Sequence, residues 1–83
     1  MNRDFLNQLI GYEELVSIYL YDNDPSVFLV GYISQAFEDA ILLEVIRQDG
    51  KYDGYTIINL NAIYQIEYGT HYLKKLSIDS SDR

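Results

Sequence analysis

His71 is the only histidine among 83 residues, and the chain has no cysteine. One imidazole cannot build a multi-histidine metal site within one chain, and without thiols there is neither a thiolate metal site nor a disulfide. A serine triad would have a single candidate base, and a cysteine nucleophile is excluded outright. The adjacent acids Glu13-Glu14 and Glu38-Asp39 point apart wherever they lie on a strand, so they do not form the facing pair that acid–base work needs. Asp22, Asn23 and Asp24 resemble the opening of a calcium loop, but the loop glycine and distal glutamate are missing and Pro25 ends the pattern. They read as a turn. Lys74-Lys75 is the only adjacent basic pair, a poor electrostatic footprint alone, although a ring of subunits would gather copies of it on one face. No nucleophile, base and orienting group converge, so the expectation is a protein that is not an enzyme and carries no cofactor or metal.

The charge balance narrows the partners. Thirteen acids against six bases give a net charge of −7. That opposes attraction to DNA phosphates and to anionic lipid, so neither DNA nor membrane is expected as a partner. Single-stranded RNA stays open, because stacking and base-edge hydrogen bonds can form a local site on an acidic body. Nine tyrosines suit strand surfaces, subunit interfaces and stacking platforms alike. A chain this short is one domain and buries only about 60% of its unfolded surface, which favours association with other subunits. The first ten residues hold Arg3 and Asp4 without a continuous apolar run, and no stretch nears the roughly 20 apolar residues of a membrane span. A cytoplasmic location is the expectation.

Hydrophobic spacing supplies the elements. Phe5, Leu6, Leu9 and Ile10 predict a short helix over about 3–10, with Gly11 as its C-terminal cap and Asn2 or Asp4 at its start. Val16, Ile18 and Leu20 alternate with Ser17, Tyr19 and Tyr21, predicting a strand over about 16–22. After the turn at 22–26 a second strand covers about 27–36, with Gly31 inside it as a bend or close approach. "AILLEVI" predicts a third strand over about 40–48 with both faces covered. The residues Arg47 to Gly54, with two Asp-Gly pairs, read as a hairpin loop, followed by strands over about 55–59 and 63–68. Leu73 and Leu76 mark one helical turn. The domain thus spans 1–76, and 77–83 is a polar tail expected to fray. The fold class is mainly β: a short N-terminal helix and a five-stranded, strongly bent small barrel of SH3-like type.

Read together, "FLNQLIG", "VSIYLYD", "FLVGYI" and "IINLNAIYQI" resemble the Sm and Sm-like family, which includes the bacterial RNA chaperone Hfq. The resemblance runs from about Phe5 to Ile66. It implies a short turn at Asn59, Leu60, Asn61 and Ala62 between strands four and five, with Ile63 and Ile66 as core residues put out of period by that turn. It also implies an RNA site, in which Phe37 stacks on a base and Asp39, Asn59 and Asn61 reach its edge. Asn59 and Leu60 stand where Sm proteins carry arginine and glycine, and Asn61 where the Hfq form has histidine. The resemblance therefore implies a non-catalytic homo-oligomer that binds single-stranded RNA, with strand four of one subunit pairing with strand five of the next. The alternative is a protein-interaction or structural oligomerisation module on the same barrel, without RNA binding.

Overall fold

The computed structural model describes residues 3–10, 14–21, 24 and 27–80; the expectations placed on Asn2, Gly11, Glu13, Asp22, Asn23 and Pro25 lie outside these. Helix α1 (Arg3–Ile10) precedes β1 (Val16–Leu20), β2 (Phe28–Ala36), β3 (Ala40–Ile46) and β4 (Tyr52–Asn59). A 3-10 turn (Leu60–Ala62), β5 (Ile63–Tyr68) and α2 (His71–Ser80) complete the order. All pairings are antiparallel, and the sheet runs β4-β3-β2-β1-β5. The expected barrel does not close. The 3-10 turn joins β4 to β5 without a ladder between them, so these two strands are the opposite edges of an open sheet.

The sheet bends where one strand carries an extra residue. Ser34 is extra in β2, and one extra residue in β4 sets Asp53 and Gly54 together against Val45. Gly54 has φ 104°, which only glycine adopts without strain. Here the sequence expectation needs correction. The second Asp-Gly pair is a bulge inside β4, which begins at Tyr52 rather than 55, and the loop it was assigned to is shorter. That loop is closed by the Arg47 N–H bonding the Lys51 carbonyl (2.8 Å) and the Gly50 N–H bonding the Arg47 carbonyl (2.9 Å). Gly31 is needed for close approach, since a Cβ there would run into the backbone carbonyl of Glu44 on β3.

Ile63 and Ile66 lie three apart for a local reason. The register of β5 against β1 slips at Tyr64, which is an extra residue of the strand itself, so the offset arises after the turn and not from it. Ile63 is buried and Ile66 packs against the same cluster.

Each face of the sheet has its own core. Leu6 and Leu9 of α1 join Val16, Ile18, Ile33, Ile41, Leu43, Ile58 and Ile63 on one face. On the other, Leu73 and Leu76 of α2 cover Leu15, Val30 and Ile46. Helix α2 is longer than the single turn expected. Thr70 starts it, its hydroxyl accepting from the Leu73 N–H (3.1 Å), and Ser77 is buried with its hydroxyl accepting from the Leu15 N–H (2.8 Å). The stretch assigned to a fraying tail from residue 77 is thus helical through Ser80 and tied to the start of β1.

Candidate functional site

The β2–β3 connection and the 3-10 turn meet at one end of the sheet. The Phe37 N–H bonds the Ala40 carbonyl (2.7 Å), closing a tight turn that leaves Phe37, Glu38 and Asp39 exposed. Ala40 pairs with Asn59, and the Leu60 N–H bonds the Asp39 carbonyl (2.9 Å), so the two connections are fastened to each other. The fold therefore brings Phe37, Asp39, Asn59 and Asn61 to one end, all solvent-accessible, from stretches 20 residues apart in the chain.

Their side chains are not equally available. The Asn59 carboxamide oxygen accepts from the Asn61 N–H (2.9 Å), capping the 3-10 turn, which is the ordinary local role of a turn asparagine. Asn61 is exposed and its side chain takes no part in the described hydrogen bonds. Phe37 is 42% exposed. The arrangement offers one ring, one free carboxamide and one carboxylate. Groups of these kinds can stack a base and bond its edge. No basic side chain belongs to this set of four.

A second constellation carries no signal in strand alternation. Tyr19 lies on β1 facing the α2 side, and its hydroxyl donates a hydrogen bond to the Glu67 carboxylate on β5. That bond, with burial and the carboxylate's charge, pushes the phenol up to about 12. Around it stand Phe28, Tyr64 and Tyr21, each ring within 6.1 Å of a neighbour in the set. The pairing could not be read from sequence, because the extra residue at Tyr64 is what puts that ring on this face.

Beside Phe28, a cavity of about 360 Å³ lies between the sheet and α2, reached by Arg47, Asp53 and Tyr72. Arg47 is bound to Asp49 at 2.6 Å, and the Lys51 N–H together with the Arg47 guanidinium holds the Asp49 carboxyl below its usual range. Among the described residues no three His, Cys, Asp or Glu side chains gather as a metal site, and no helix is long and apolar enough to cross a membrane. His71, Lys74 and Lys75 are exposed on α2. The chain matches no protein-family model, and no curated protein or solved structure is significantly similar to it.

Proposed function

We propose that this chain is a non-catalytic, self-associating module of Sm-like type, in which the β4 edge of one copy pairs with the β5 edge of the next. The observation that carries this reading is the pair of opposite open edges. An edge strand leaves a row of backbone N–H and C=O groups available to another chain, and soluble proteins blunt such edges with charge, proline or cover. Strand β4 carries a bulge and a charge at Asp53-Gly54 near its start, but from Tyr55 to Asn59 it has neither charge nor proline. Tyr55 and Ile57 are 58% and 67% exposed, and β5 carries the accessible rings of Tyr64 and Tyr68. A β4-to-β5 contact is head-to-tail, and it closes into a ring if the rotation between copies allows. The order of elements and the short turn between β4 and β5 fit the family resemblance and support it no further than that.

Within this reading, the end formed by Phe37, Asp39, Asn59 and Asn61 is proposed to hold a base of single-stranded RNA, with little loss of affinity on adding salt. A second reading, a protein-interaction or structural oligomerisation module without RNA, is favoured by the Asn59 side chain being already spent on its own turn.

Native mass spectrometry on protein purified without nuclease tests both. The expected spectrum is a closed set of several copies that Ile57→Lys reduces to monomer; a wild-type monomer at micromolar concentration overturns the assembly. RNA carried along, and lost in Asn61→Ala without loss of assembly, supports the base site. An RNA-free assembly favours the second reading.

A further inference from the structure

Four aromatic rings form a row on the α2 side of the sheet, running from partial burial into solvent. Phe28 and Tyr19 have centroids 5.1 Å apart, Tyr19 and Tyr64 6.1 Å, and Tyr64 and Tyr21 5.3 Å, with successive tilts of 34°, 55° and 49°. Tyr21 at the far end is 67% exposed.

The centre of the row is held in place before any ligand arrives. Tyr19 is fixed by its bond to Glu67, while the bulge in β5 and the Tyr21 N–H bond to the Ala62 carbonyl at 2.9 Å set the backbone from which Tyr64 and Tyr21 project. Preorganised rings lose little entropy on binding. The hydroxyls of Tyr21 and Tyr64 make no hydrogen bond among the described residues, so two donors stand along an apolar track. At the Phe28 end the row runs into the cavity beneath α2, where Arg47 is already neutralised by Asp49 and Asp53 has no cationic partner among the described residues.

We propose that this row is a docking groove for a proline-rich, basic segment of another protein. A polyproline II strand has no internal hydrogen bonds, so its carbonyls need donors, which Tyr21 and Tyr64 supply. Its prolines pack between tilted rings, where the tilts leave notches rather than the single plane a stacked run of bases would use. At about 3.1 Å per residue the row takes roughly five residues of such a strand. The charge argument selects the same class: the chain is at −7, Glu67 lies beneath Tyr19, and Asp53 at the row's inner end can receive an arginine or lysine flanking the prolines. The row lies on the face of the sheet rather than along the backbone edge of β5, but Tyr64 belongs to both surfaces, so assembly has to be read separately from peptide binding.

The test is an NMR titration of the full chain with a decaproline peptide carrying one arginine at each end. Saturable shifts confined to β1, Tyr21, Val27–Val30, β5 and the neighbourhood of Asp53 are expected. Tyr64→Ala should weaken binding about tenfold, as removal of a central interface ring does, and Tyr64→Phe should weaken it only a few-fold because it loses the donor alone. Tyr21→Ser, at an exposed position, gives the same reading if Tyr64→Ala fails to fold. The proposal is overturned if the peptide causes no shift, if a glycine-serine peptide with the same two arginines binds equally, or if decauridylate and not the peptide occupies the row. Native mass spectra of the same samples report assembly separately.

Discussion

The α1 side of the sheet and the α2 side are buried by different means. On the α1 side, buried residues come from six elements, and the centre of that cluster, Ile18, Ile41 and Leu43, is fully enclosed. On the α2 side the cluster is smaller, and Leu73 and Leu76 of one terminal helix supply its cover. The first core is welded by every strand pairing in the sheet. The second depends on whether one helix stays docked. Regions covered in the second way open locally at lower free energy than the global transition, so the α2 face should be a separate unit of stability.

Two substitutions of the same kind test that difference. Leu43→Ala removes a side chain with no exposed surface and should cost about 4 kcal/mol, near the upper part of the range for buried leucine truncation. Against a total stability of about 5–15 kcal/mol for a domain, that would leave little margin, and the urea midpoint should fall steeply. Leu73→Ala, also buried, should cost about 2 kcal/mol, because α2 packs on the sheet through two leucines and can shift to fill the gap. Hydrogen exchange should then show α2 amides losing protection while β1 to β3 keep theirs. Equal midpoint shifts with uniform loss of protection would mean that both faces form one cooperative unit.

The same contrast governs what the sequence disclosed. Alternation along β1 and the spacing in α1 identified the first core, because those elements keep an unbroken period of 2 or 3.6 against it. The extra residues at Ser34, Tyr64 and the Asp53-Gly54 pair break the period, and the last two moved an expectation: β4 begins three residues earlier, and Ile63 and Ile66 owe their spacing to a bulge. Barrel closure was over-read, since bend signals do not determine whether the outer strands pair. The second core was nearly invisible. Leu73 and Leu76 hinted at one helical turn, but Ser77 looked like tail, because a serine bonding a backbone N–H 62 residues away leaves no pattern in sequence. The end carrying Phe37 and Asn61 was legible as a place because turn residues marked both connections, while the aromatic row was not, since it depends on a register slip.

That serine allows a finer break. Ser77→Ala leaves the buried Leu15 N–H without its acceptor, which should cost about 1–2 kcal/mol. Because the bond joins α2 to the start of β1, the loss should appear mainly as faster exchange in α2 and at Leu15. A change confined to the global unfolding midpoint would show instead that α2 does not open by itself.

The smallest expected effect is set by pH. The Tyr19 phenol sits at about 12 in the folded chain against 10.0 for the free side chain. A group whose pKa is raised by folding stays protonated longer in the native state, so the unfolded chain is the one that first loses the proton. Its contribution to stability is therefore complete below about pH 10 and disappears as the pH climbs through 12. Tyr19 is only half-buried and its bond is partly screened, so the contribution is about 1 kcal/mol. Tyr19→Phe keeps the ring in the row and removes the hydroxyl. Urea melts at pH 8 should show the variant less stable by that amount, and the gap should close between pH 10 and 12. A gap that persists unchanged across that window would place the stabilising contact in the ring packing of Phe28, Tyr19 and Tyr64 and not in the bond to Glu67, making the aromatic row self-supporting on the face that α2 covers.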